Sequence, residues 1–107
     1  MNKFVETISE RILVMDGAMG TQMMSRGIKP DDCFDDQNLQ RPEVVLAIHK
    51  AYVKAGADMV ETNSFGANRI KLADYSLDGK VSEINIAAAK LARQAIALRR
   101  AARGKLR

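Results

Sequence analysis

Ile12-Leu13-Val14-Met15-Asp16-Gly17-Ala18-Met19-Gly20-Thr21 decides the fold reading, because four uninterrupted apolar residues run straight into a carboxylate and two glycines. A short apolar run bounded by turn residues predicts a strand buried on both faces. A carboxylate and two glycines at a strand exit are the parts of a small-ligand site. A counterpart lies downstream. Asp58 to Thr62 reads as a second short strand, apolar at Met59 and Val60, and it exits through Glu61-Thr62-Asn63-Ser64-Phe65-Gly66-Ala67-Asn68. Two such exits predict one shared mouth.

Between the strands, glycines 17, 20 and 27, Pro30 and the acids Asp31, Asp32, Asp35 and Asp36 mark a long loop. A helix is then predicted from Pro42, where proline suits the first turn, to just before Gly56, a natural left-handed C-terminal residue. Val44, Val45, Ile48, Tyr52 and Ala55 form its apolar face at the 3.6-residue period. A helix between two strands makes them parallel neighbours in one βαβ unit. Upstream, Asn2 to Glu10 reads as a leading helix with Phe4, Val5 and Ile8 on one side. Downstream, a helical piece over Arg69 to Tyr75 leads through Asp78-Gly79 into a long helix that Gly104 breaks. Val81, Ile84, Ala88, Leu91, Ala95, Leu98 and Ala102 give that helix a seam thin in side-chain volume, which suits packing on a sheet better than a coiled coil.

At 107 residues the chain holds one modest core at most. Its 47% hydrophobic and 28% charged content is that of a folded globular chain, and no apolar stretch is long enough for a membrane span or secretory leader. One cysteine, Cys33, rules out an internal disulfide, and a cytoplasmic setting is expected. The net charge of +4 is unevenly spread. All thirteen acids and ten of the bases lie in residues 1 to 83, and the other seven bases lie in residues 84 to 107 with no acid. No aromatic residue is interleaved with that basic end to stack on bases, so the expectation is a solvated helix terminus and no nucleic-acid partner.

Two parallel strands under two helices leave open edges that invite pairing, so the unit reads as part of something larger. The stretch 12–21, Asn38 to Glu43 (NLQRPE), Ala55 to Asp58 (AGAD) and Glu61 to Asn68 (ETNSFGAN) together resemble the start of the homocysteine S-methyltransferase family. The likeness covers roughly residues 5 to 95. With the Cys33-Phe34 pair it is most similar to members that fuse this domain to a methylenetetrahydrofolate reductase; the homocysteine domain of cobalamin-dependent methionine synthases is similar too.

The resemblance implies an α/β fold, the N-terminal fragment (about two β/α units) of a TIM (β/α)8 barrel, in which ligands bind at the C-terminal strand ends. The whole chain, 1–107, would be a partial homocysteine-binding domain with a divergent basic tail over 96–107. It further implies that Asp16 and Gly17 line the homocysteine pocket, that the amides of Ala18, Met19 and Gly20 lie near the amino acid's polar end, and that Thr62, Asn63 and Phe65 come from the second exit. On the residues alone, Asp16 serves equally as a loop cap and the glycines as turn formers.

The family's chemistry is transfer of a methyl group to the thiol of homocysteine, giving methionine, with Zn2+ held by three later cysteines that this stretch lacks. Cys33 and His49 stand apart from any second ligand at metal-binding spacing, so no metal site and no catalytic residue are expected here. The methyl donor, whether methyltetrahydrofolate, methylcobalamin or S-methylmethionine, is undecided by these residues. After about Ala95 the sequence turns to Ala101-Ala102-Arg103-Gly104-Lys105-Leu106-Arg107, which reads as a truncated or frame-shifted end. The expectation is therefore an enzyme fragment inactive alone, set against a binding or assembly module that self-associates through exposed strand edges.

Overall fold

The computed structural model describes residues 2–106, with side chains described as far as residue 101. The expected side-chain placement of Ala102 and the basic tail at Arg103, Lys105 and Arg107 lies outside the described residues. Among the described residues six α-helices form: α1 (Lys3–Glu10), α2 (Gly20–Ser25), α3 (Gln37–Gln40), α4 (Pro42–Ala55), α5 (Arg69–Ala73) and α6 (Val81–Leu106), the last entered through a 3-10 turn at Asp78–Lys80.

Local signals explain most of these boundaries. The Asn2 side chain accepts the Val5 N–H at 2.8 Å to start α1, and the Asn68 side chain accepts the Lys71 N–H at 2.9 Å to start α5. Pro42 opens α4, and Gly56 closes it in the left-handed region at φ 114°. Two expectations about loops and ends are corrected. Part of the stretch read as one long loop is helical at α2 and α3, where Gly20 leads Met23 into the core. Gly104 does not break α6, whose backbone continues to Leu106; a single glycine costs a helix only about 1 kcal/mol.

The larger correction concerns the sheet. Among the described residues no strand forms; the two expected strands meet at a single parallel bridge between Met15 and Met59. Its rungs run from Met59 N–H to Val14 C=O at 3.2 Å and from Asp16 N–H to Met59 C=O at 3.0 Å. In a parallel ladder the next rung would join Glu61 N–H to the Asp16 carbonyl, and the preceding one Val14 N–H to the Ala57 carbonyl. Both are intercepted by side chains. Glu61 N–H donates to the Asp16 carboxylate at 3.0 Å, and Val14 N–H donates to the Asp58 carboxylate at 3.0 Å. The Ala57 carbonyl accepts the Arg99 guanidinium at 2.8 Å instead. The first apolar run is also not buried on both faces: Ile12 is 87% exposed and Val14 54%, because no further layer covers them.

The core therefore sits among helices. Met23, Ile28, Val45, Ile48 and Leu91 form one buried cluster, joined at its margin by Met19, Phe34 and Tyr52. Cys33, Ala67, Leu72 and Ile84 form a second. The long helix packs on α4 and α3 rather than on a sheet, burying Ile84, Ala88, Leu91, Ala92 and Ala95, while Leu98 is largely exposed. Alanines at 88, 92 and 95 let the two helix axes approach closely. On α4, Val45 and Ile48 face inward as expected, whereas Ala55 is exposed and His49 and Val53 are buried.

Ile84 and Ile86 separate burial from composition, since the first is 0% and the second 56% exposed. Urea denaturation of Ile84→Ala is expected to show a loss of about 2–5 kcal/mol, and of Ile86→Ala a change within about 0.5 kcal/mol.

Candidate functional site

The turn after the first apolar run is held from two sides. Ahead of it, one Asp16 oxygen accepts the Glu61 N–H, which pins the first exit to the second two positions before Asn63. Behind it, α4 supplies Tyr52, whose hydroxyl donates to the Ala18 carbonyl at 2.6 Å. The Tyr52 ring also closes on Gly17: a Cβ there would stand 3.1 Å from the hydroxyl oxygen. Gly20 meets Phe34 in the same way, its added Cβ falling 3.1 Å from the ring. At both glycines an added side chain would need the neighbouring ring to give by a few tenths of an ångström, and their backbone conformation is one other residues adopt. Among the described residues, the N–H groups of Gly17, Ala18, Met19 and Gly20 carry no hydrogen bond to another residue.

The second exit is knitted to the loop before α3. Asn63, 7% exposed, spends its side-chain amide on the Phe34 carbonyl at 2.8 Å and on Asn38 Oδ1 at 3.0 Å. Asn38 in turn donates to the Asn63 carbonyl at 2.8 Å and to the Ile84 carbonyl at 3.2 Å. This buried amide pair ties the exit, α3 and α6 together. Gly66 N–H donates to the Asp35 carboxylate at 3.2 Å, and a side chain at position 66 would collide with that carboxylate at 2.7 Å.

The eight residues expected at the site are thus unequally placed. Asp16, Gly17, Ala18, Met19 and Gly20 form one turn, with Met19 also packing against the core. Thr62 is exposed, shares a 2.6 Å hydrogen bond with Ser64 and opens onto a groove of about 970 Å³ beside Ile86, Arg93 and Ile96. Phe65 is fully exposed and borders a different hollow of about 280 Å³ with Cys33, Asp35 and Lys71. The Asp16–Gly20 turn lines neither. Tyr52, on the inner face of α4, is the supporting residue that sequence reasoning placed in an apolar face without giving it a part in the turn, and His49 is buried on that helix with no hydrogen-bond partner among the described residues. A tyrosine within an apolar stripe was the available signal, since a half-buried hydroxyl needs a partner.

The electrostatics follow from burial. Burial pushes the Asp35 carboxyl up from its ordinary value, offset in part by the Gly66 N–H. Burial likewise raises the Cys33 thiol, and the neighbouring Asp35 and Asp36 carboxylates add to that. At the opposite end of the bridge, the Val14 N–H and then Arg11 hold the Asp58 carboxyl down. His49 is pushed below its ordinary value by burial, with the Asp16 carboxylate acting in the other direction. Among the described residues no group of three or more His, Cys, Asp or Glu side chains is placed to hold a metal ion, and no helix is long and apolar enough to cross a membrane.

The chain matches the family described as homocysteine S-methyltransferase over residues 13–104, which includes most of the 96–107 segment. It is 40% identical over 96 residues to a methionine synthase of Mycobacterium leprae, and 38% identical over 96 residues to one of Mycobacterium tuberculosis. Each match covers 84% of this chain and 8% of the relative, so the chain spans a small part of the length of these curated relatives. The chain belongs to the homocysteine S-methyltransferase family.

His49 sets a pH dependence of stability. The folded ring holds its proton less tightly than an unfolded histidine of pKa 6.5, so acid favours the unfolded chain. The contribution is fully present above that value and is lost as pH falls from 6.5 toward the folded ring's own pKa. Asp35, with its raised pKa, acts oppositely and at lower pH. The melting temperature should therefore fall between about pH 7.5 and 5, and His49→Gln should flatten that slope.

Proposed function

We propose that this chain supplies the first two β/α exits of a homocysteine-binding barrel, whose complete domain transfers a methyl group to the thiol of homocysteine to give methionine. In this reading the chain is an N-terminal fragment, inactive alone, and it serves binding. The observation that carries it is the Asp16–Gly20 turn: one carboxylate fixed by Glu61, followed by four backbone N–H groups that no other described residue uses. A carboxylate suits an ammonium group and a row of amides suits a carboxylate, which together match the two charged ends of an α-amino acid. Tyr52 holds the turn from below, so the amides are preorganised. Thr62, Asn63 and Phe65 contribute from the second exit, Asn63 as the anchor of that loop.

Zinc, implied by the family resemblance, does not fit the residues present. Cys33 is buried, its thiol is held protonated by burial and two carboxylates, and no metal-binding cluster surrounds it. A thiol of raised pKa is a poor ligand and a poor nucleophile at neutral pH. The role of these residues is to bind and orient the amino-acid end of the substrate; the methyl donor, whether methyltetrahydrofolate, methylcobalamin or S-methylmethionine, makes its contacts elsewhere.

A second reading, a non-catalytic module that self-associates, is favoured by the exposed edge at Ile12, Val14 and Met15. Light scattering on the purified chain separates the two, since a monomer at micromolar concentration removes the assembly reading. For the substrate reading, Asp16→Asn in a complete family member is expected to weaken homocysteine binding by about tenfold or more, roughly 1.4 kcal/mol, with an unchanged circular dichroism spectrum. Calorimetry giving the same affinity as the unaltered enzyme contradicts the role assigned to Asp16.

A further inference from the structure

The Met15–Met59 bridge leaves an open edge on each side of the paired segments. The Val14 carbonyl and the Asp16 N–H point at the second segment, and Met59 spends its own N–H and C=O on the first. In a parallel pair the main-chain groups of alternate residues point the other way, so those of Leu13 and Met15 face outward on one side and those of Val60 on the other. Among the described residues none of these three has a hydrogen-bond partner for its main chain.

The two edges complement each other rather than themselves. Both segments run in one direction, so the Met15 edge of a second copy laid on the Val60 edge of the first continues a parallel sheet. Charge selects the same arrangement. Helix α6 returns to the entry end of the second segment, where Arg99 reaches the Ala57 carbonyl, and its free face beside Thr62 carries Lys90, Arg93 and Arg100 around Ile86 and Ile96. The first segment is entered at that same end from α1, whose capping Arg11 pairs with Asp58. This helix sets Glu6 and Glu10 against Lys3 alone, and its Phe4, Val5 and Ile8 are uncovered. Unlike edges therefore bring an acidic, apolar helix toward a basic, apolar face, whereas two Val60 edges bring cations against cations.

We propose that a second copy of this chain docks its Met15 edge on the Val60 edge of the first, and that repetition of this contact closes four chains into one parallel barrel. This inference rests on the self-associating reading and gives it a surface and a stopping point. A contact between unlike edges repeats until the rotation closes it. With about eight tilted strands to a closed parallel barrel and two segments to a chain, the ring closes at four copies and leaves no edge open.

Proline at position 15 or 60 tests the edges without touching the bridge, because the N–H it removes is unused inside the chain and the bridge runs through the main chain of residues 14, 16 and 59. Light scattering should give four times the single-chain mass for the unaltered 107-residue chain, and the single-chain mass for Met15→Pro and for Val60→Pro. Mixed together, the two variants should form a one-to-one pair that grows no further, since each keeps the edge the other lacks. A variant that merely misfolds does not make that pair. In the assembled, unaltered chain the Met15 and Val60 amides should exchange with solvent far more slowly than free amides, and should either variant unfold, this exchange and the mass of the unaltered chain decide.

A monomeric unaltered chain removes the proposal and the self-associating reading together. An assembly of any other size, variants that keep the mass of the unaltered chain, or free-amide exchange at Met15 and Val60 sustains self-association and overturns the edge-to-edge ring. Folded variants that stay apart when mixed do the same.

Discussion

Two aspartates, each accepting a backbone N–H of the facing segment, are the constraint on which the rest depends. Asp58 takes Val14 N–H at one end of the Met15–Met59 bridge, and Asp16 takes Glu61 N–H at the other. The pair is clamped in parallel register by side chains where a longer ladder would use main chain. That trade ends the strands after one bridge. It also turns Asp16 toward the second exit, so the residue that terminates the pairing is the one that stands at the candidate site.

Everything around the clamp fixes the two exits to the helices. Tyr52 on α4 supports Ala18 and closes on Gly17, while Phe34 closes on Gly20. The Asn63–Asn38 pair carries the second exit onto α6 through the Ile84 carbonyl. Burial of Ile48, Leu72 and Ile84 supplies the driving force for these helices to pack. The buried amides add direction, since an unpaired amide in that core would cost about 1–3 kcal/mol. Packing places the exits, and hydrogen bonds decide which way they face.

The legible part of the fold was the part governed by local chemistry. Pro42 and Gly56 marked the ends of α4, Asn68 and the Asp78-Gly79 turn marked the next helices, and the three-and-four spacing of Ile84, Ala88, Leu91 and Ala95 marked the buried face of α6. The parallel pairing of the two apolar runs was legible as well, because a helix lies between them. What hydropathy could not show was that side chains would intercept both flanking rungs, or that Ile12 and Val14 would lie open. Gly20–Ser25 was hidden for a related reason: glycines next to a strand exit signal a turn equally whether a helix follows or not. A loop at Asp16–Gly20 after the first apolar run was readable, whereas Asn63 acting as an anchor depends on Phe34 and Asn38, residues far from it in sequence.

The most direct measurement is a set of proton Overhauser contacts across the bridge in the 107-residue chain. The clamp predicts contacts between residues 15 and 59 and from the Asp16 amide to Met59, with slowed hydrogen exchange at the Asp16, Met59 and Glu61 amides. Exchange at unfolded-chain rates at those three amides, or contacts that place residues 14–16 against some other segment, contradicts it.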